Sequence, residues 1–91
     1  MKIALNMIHG GFGLSKEAEA MLPKDINYRD DEYRTDPRLI EVIEKLGEEA
    51  NGEFARLAIF DIPEDATDYQ IWEYDGAETL IYVVDGKIYE Y

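Results

Sequence analysis

The run His9-Gly10-Gly11-Phe12-Gly13, continued by Leu14-Ser15-Lys16, holds the residue types in this chain best suited to binding chemistry. Glycines at 10, 11 and 13 give the backbone conformations closed to other residues and let its N–H groups approach a ligand. The run lies between an apolar, strand-like segment and a short helical pattern. Unpaired N–H donors at a helix start favour an anion. The candidate ligand set is therefore Asn6, His9, Gly10, Gly11, Phe12, Gly13, Ser15 and Lys16. Backbone N–H groups and Lys16 would hold a small anionic, nucleotide-like molecule, Phe12 or His9 would stack on a base, and Asn6 and Ser15 would add directional hydrogen bonds. The order G-G-F-G matches neither the GxGxxG fingerprint nor the Walker pattern. The plainer reading is a sharp strand-to-helix corner with Phe12 plugging the core.

The other chemistries have less behind them. His9 is the only imidazole, and no serine or acid stands beside it in a catalytic motif, so we expect no enzyme and no catalytic residue. Asp61, Glu64, Asp65 and Asp68 cluster without the spacing or the glycine of a calcium loop, so we expect no metal and no cofactor. Tyrosine is the unusual residue, with seven in all and five after position 68. Tyr69, Trp72, Tyr74, Tyr82, Tyr89 and Tyr91, with Asp75 beside them, fall in adjacent predicted strands and are expected to form a stripe. Aromatic side chains on an exposed sheet face suit protein binding, because they supply much of the energy at interfaces. The alternative is that several of them complete a small core.

Charge sharpens the choice of partner. The 91-residue chain carries a net charge of −12. Residues 57–91 hold nine acids against Lys87 alone, whereas residues 1–24 are slightly positive. A negative field repels nucleic acid and anionic lipid, which are held by neutralising their phosphates. It favours a basic protein surface, although it also serves solubility. An apolar content of 46% excludes a disordered chain. No apolar run approaches the ~20 residues of a membrane span, and no secretory signal is visible. Without cysteine there is no disulfide and no thiolate nucleophile. We expect a single cytoplasmic domain over residues 1–91.

The elements that must position these residues are readable from pattern. Lys2–Ile8 is apolar on both faces, as in a strand covered on two sides. Ser15 caps a helix over Lys16–Leu22 that Pro23 stops. Residues 24–35 form a polar connection, expected to be the most mobile segment. Asp36-Pro37 opens a second helix, and Asn51-Gly52 is its expected stop. Leu39, Ile43, Leu46 and Ala50 give that helix a core-facing stripe, and Glu41 and Lys45 are spaced to pair on its wetter side. Phe54–Ile62, Tyr69–Tyr74, Thr79–Val84 and Lys87–Tyr91 read as strands, with Asp75-Gly76 and Asp85-Gly86 as turns. The expected fold is α+β, β-α-α-β-β-β-β, with a small single-layer antiparallel-rich sheet and two helices on one face. If the last strand lies at the edge, edge pairing offers a route to a homo-oligomer.

Several segments together resemble a family of small proteins encoded by tailed bacteriophages and prophages. They are Lys2-Ile3-Ala4-Leu5-Asn6, Gly10-Gly11-Phe12-Gly13-Leu14-Ser15, Arg34-Thr35-Asp36-Pro37-Arg38-Leu39-Ile40-Glu41, Glu49-Ala50-Asn51-Gly52, Ile62-Pro63 and Glu73-Tyr74-Asp75-Gly76. The likeness covers most of residues 1–78. It departs at His9, where the family pattern has an aromatic residue, and in the tail Thr79–Tyr91. The resemblance implies a phage or bacterial cytoplasmic setting and an accessory role, and it transfers no catalytic residue. The function expected is that of a non-enzymatic accessory protein that antagonises a host defence protein, using its acidic, Tyr-rich surface against a basic one. The alternative is a small-ligand binder that sequesters a nucleotide-like signal at the Gly-rich loop.

Overall fold

The computed structural model describes residues 1–91 as a small α+β fold of three layers. β1 (Lys2–Asn6) pairs antiparallel with β2 (Leu57–Asp61) as a two-stranded ribbon. β3 (Asp68–Tyr74), β4 (Ala77–Val84) and β5 (Lys87–Glu90) form a separate antiparallel sheet in that order. α1 (Lys16–Ala20) and α2 (Pro37–Leu46) pack on the ribbon's other face. The α+β class and the strand order along the chain stand, whereas the expected single sheet divides in two. The reason lies in β1, whose two faces are both apolar. Ala4 faces Phe12, Leu14, Leu39 and Ile43 of the helical layer. Ile3 and Leu5 face Ile62 and Leu80, with Tyr69, Ile71 and Tyr82 around them. A ribbon needing cover on both sides cannot be the edge of one layer.

The free edge of β1 carries the central interaction. Alternation along the strand turns the N–H groups of Ala4 and Asn6 away from β2. No strand receives them. Ala4 N–H donates to the Arg34 carbonyl at 2.9 Å, and Asn6 N–H donates to Glu78 Oε1 at 2.8 Å. Arg34 in turn donates to Glu78 through Nη1 at 2.6 Å and Nη2 at 2.8 Å, and to the Ala4 carbonyl at 3.3 Å. This two-pronged ion pair is buried, with Arg34 3% and Glu78 8% exposed. Arg34 Nε has no hydrogen-bond partner, and the Phe12 ring centre, 3.8 Å from the guanidinium carbon, gives the cation a π-face. Residues 24–35 are therefore anchored at their end by Arg34, and Ile26 is buried as well. The exposed Asp30, Asp31 and Glu32 keep the polar character read from sequence.

Local signals set the remaining boundaries. The Ser15 hydroxyl accepts from Ala18 N–H at 3.1 Å, and Asp36 accepts from Arg38 N–H at 2.9 Å. α1 ends at Ala20, two residues before the expected limit, with Met21 as its C-cap. α2 ends at Leu46 because Gly47 takes φ +60°, a left-handed value open to glycine. A 3-10 turn, Gly47–Ala50, then carries Ala50 into the core, so the apolar stripe persists past the helix proper. Asn51-Gly52, expected as the helix stop, is a bridge instead: Ser15 N–H donates to Ala50 and Gly52 N–H to Gly13. β2 begins at Leu57, since Phe54 is exposed in the turn before it. Glu41 and Lys45 make no ion pair; Lys2 reaches Glu44 instead, at 2.7 Å on the surface.

Glu78→Leu leaves a buried guanidinium unpaired and should cost about 3–5 kcal/mol, a large part of a small domain's stability. Arg34→Met should cost a similar amount, and the double variant markedly less than the sum of the two. It should still fall short of the parent, because the Asn6 N–H stays without an acceptor. Additive losses in urea unfolding would mean that the pair is uncoupled. Separately, the Arg38 side chain, then its backbone N–H, holds the Asp36 carboxyl below the usual carboxylate range. A depressed pKa contributes stability that is complete above the ordinary value and lost as pH falls through the lowered one. Asp36→Ala should therefore lower Tm at neutral pH, with the difference from the parent vanishing in acid.

Candidate functional site

The Gly-rich loop is a socket for the tip of the β3–β4 hairpin. Gly10 N–H donates to the Asp75 carbonyl at 3.2 Å, and His9 Nδ1 lies 3.3 Å from the same oxygen. That second contact requires the proton on Nδ1. The His9 ring also meets Tyr74 edge-on, with centroids 6.1 Å apart. Asn6 is fully buried, and its side chain is spent on backbone groups. Its Nδ2 donates to the carbonyls of Ile8 (2.6 Å) and Gly76 (2.7 Å), and its Oδ1 accepts from Arg56 N–H (2.9 Å). Gly76, at φ +92°, lies so close that a Cβ there would collide with the amide nitrogens of Gly10 and Gly11. Gly10 is equally tight against Phe54.

These contacts correct two members of the ligand set. Asn6 has no free polar group and no exposed surface, because it ties β1 to the hairpin turn. Phe12, 9% exposed under the Arg34 guanidinium, has no open face on which a base could stack. Ser15 is engaged as the N-cap of α1, and Lys16 is an exposed residue of the same short helix. Gly11 and Gly13 have open space on the Cβ side, and His9 is exposed. The loop thus brings its residues together around the protein's own turn. Sequence reasoning passed over Arg34 and Glu78, although Arg34 stands in one of the segments that carry the family resemblance.

The aromatic set divides between the two faces of the sheet. Asp75-Gly76 turns with both φ values positive, as a two-residue hairpin requires, and fixes Tyr74 opposite Ala77. Alternation then places Tyr69, Tyr82 and Tyr89 on the inner face, with Tyr91 packed there beside them. Tyr82 stacks on Tyr89 at 5.3 Å and lies 5.5 Å from Tyr91, which also meets Phe60 at 4.9 Å. Desolvation, then the Tyr91 and Tyr89 hydroxyls, push the Tyr82 phenol above the ordinary tyrosine range, so it carries no charge at neutral pH. The expected single stripe is corrected: period-two alternation sends odd and even positions of β3 to opposite sides.

The outer face receives Trp72 and Tyr74 with Thr79, Ile81, Val83 and Ile88. Trp72 is 59% exposed, Tyr74 78% and Ile88 74%. Trp72 Nε1 donates to Gln70 Oε1 at 2.8 Å, a side-chain tie between two residues of the same strand face. A shallow depression of about 380 Å³ runs between Trp72, Ile81, Val83 and Ile88, with Asp68 and Glu90 at its margins. Asp75 lies exposed at the hairpin tip. No group of three or more His, Asp or Glu side chains is placed to hold a metal ion, and no helix is long and apolar enough to cross a membrane. Compared with protein-family models, curated proteins and solved structures, the chain gives no match.

The socket separates two glycines of the same turn type. Gly76 and Gly86 each follow an aspartate in a two-residue hairpin, and both have positive φ. A Cβ at Gly86 meets nothing, whereas one at Gly76 meets the loop backbone. Gly86→Ala should cost only the left-handed penalty of about 1–2 kcal/mol. Gly76→Ala should cost clearly more, and amide exchange should reveal loosening at Gly10 and Gly11. Equal Tm losses would show that the loop does not clasp the turn.

Proposed function

We propose that this chain is a binding protein without catalytic activity, and that it engages a basic surface of a partner protein through the outer face of the β3–β4–β5 sheet. The observation that carries this reading is the exposure of Trp72, Tyr74 and Ile88 on one uncovered face. A continuous apolar face with a polar rim is characteristic of a protein contact, and Trp and Tyr are the side chains that most often anchor one. The rim is acidic, with Asp68, Asp75 and Glu90, in a chain of net charge −12. That selects a cationic partner and speeds encounter with it. The resemblance to phage and prophage proteins favours a partner in a bacterial host, where occupying a basic, nucleic-acid-binding surface would antagonise a defence protein. A ligand-sequestering role for the Gly-rich loop has less support, because the hairpin turn fills the loop and Asn6 is enclosed.

The test is affinity purification from bacterial host cells with the parent chain and a Trp72→Ala/Tyr74→Ala variant. Both side chains project outward, so the variant should keep the parent's fold and cooperative unfolding, with only a small loss of Tm from the His9–Tyr74 and Trp72–Gln70 contacts. A basic host protein should be retained by the parent and lost by the variant, with affinity reduced by more than about 30-fold. Binding should also weaken as salt rises from about 0.05 to 0.5 M, because the Debye length shrinks over that range. Equal retention by both chains would remove the outer face as the site.

A further inference from the structure

We propose that the open edge of β3 accepts an extended, lysine- or arginine-bearing segment of a partner protein as an added strand. The idea deepens the partner-binding reading and rests on it for the partner's charge. It concerns a different surface, which shares Tyr69, Gln70 and Trp72 with the outer-face depression. Tyr74 and Ala77 flank a two-residue turn, so they and every second pair beyond them exchange ladder bonds. The N–H and C=O groups of Ile71 and Glu73 therefore point away from β4. Neither residue makes a backbone bond outside the β3–β4 ladder. Tyr69 N–H, also on this edge, is taken by the Asp68 carboxylate at 2.9 Å. The middle of the edge is left as a row of unpaired donors and acceptors, the template to which another chain can add.

The surroundings of this edge select the added chain. An open groove of about 400 Å³ runs along it, lined by Tyr69, Gln70, Ile71 and Trp72 on one side and by Asp31 and Glu32 on the other. Both acids are exposed, and they are placed by the 3-10 turn that precedes Arg34. The cation nearest to hand is already matched: Arg34 is buried against Glu78, and Asp31 is 3.8 Å from it. Glu32 has no ion-pair partner. An incoming strand would find backbone partners at Ile71 and Glu73, apolar contacts at Tyr69 and Trp72, and two carboxylates within reach of a long cationic side chain. The opposite edge, on β5, is shorter, at four residues against seven. A second copy of this chain would bring its own carboxylates to the groove, so like charge opposes edge-to-edge pairing.

The probe is an eight-residue peptide of alternating lysine and valine, titrated into the intact protein while backbone amide exchange is followed by NMR. Saturation should slow exchange at Ile71 and Glu73 by about tenfold or more, and leave Trp72, already bonded to β4, unchanged. Glu32→Lys should weaken the peptide by about fivefold or more. Glu48→Lys, which makes the same charge change at an exposed site in the helical layer, should weaken it by less than about twofold. Unaltered exchange at Ile71 and Glu73 would overturn the proposal, and so would equal weakening by the two variants. Protection that grows with protein concentration in the absence of peptide would assign the edge to a second copy and overturn it too. Because Trp72 borders both surfaces, Ile88→Ala separates the two readings. Ile88 is exposed on the outer face and does not line the edge groove, so this variant should weaken retention of the host protein and leave peptide binding at these amides unchanged.

Discussion

The Arg34–Glu78 pair determines how the layers meet. β1 needs partners along both edges, yet only β2 lies alongside it as a strand. On the other edge a guanidinium and a carboxylate do the work of a neighbouring strand, accepting from Asn6 N–H and donating to the Ala4 carbonyl. The two charges come from segments 44 residues apart, one from the polar connection and one from β4. Burying either alone would be prohibitive; together, with Phe12 beneath the cation, their bonds are nearly all satisfied. The pair therefore joins the helical layer, the ribbon and the outer sheet at one point. It also explains why the sheet is divided, because it stands where a continuous ladder would otherwise run.

A second tie reinforces the first at the same end of the molecule. The Asp75-Gly76 turn lacks a side chain where the Gly-rich loop arrives, and Gly10 lacks one where Phe54 lies against it. Asn6, whose own N–H donates to Glu78, bonds through its side chain to Gly76, Ile8 and Arg56. The glycines that seemed suited to a ligand thus let two pieces of backbone touch. Their N–H groups serve internal closure, and potential chemistry is displaced to surfaces the core does not use.

Those surfaces belong to the β3–β4–β5 sheet. Its inner face completes the core with Tyr69, Leu80 and Tyr82, and no layer covers its outer face. The acids that make the chain strongly negative lie almost entirely in solvent; Glu78 is the buried exception, and it is matched by Arg34. An apolar face and an unpaired strand edge, both bordered by carboxylates, are complementary to the same kind of partner. The face supplies aromatic anchors and the edge supplies direction through backbone bonds.

The sequence by itself determined whatever depends on neighbours along the chain. Ser15 and Asp36-Pro37 mark helix starts, and Asp75-Gly76 and Asp85-Gly86 mark hairpins, because capping and positive φ are local demands. The two-sided apolar character of Lys2–Ile8 forecast a covered strand. Register across the sheet followed from the two-residue turns. The tertiary structure alone decided which elements meet. Nothing local in Arg34 distinguishes it from the exposed Arg29 and Arg38, and nothing in Glu78 distinguishes it from the solvent-facing acids around it. Their burial depends on facing each other across β1, a relation set by packing. Likewise, the glycines at 10, 11 and 13 read equally well as a ligand cradle or as a corner, because glycine permits close approach without specifying what approaches. Only the fold brought the hairpin turn there, left the edge of β3 unpaired, and set Asp31 and Glu32 beside it.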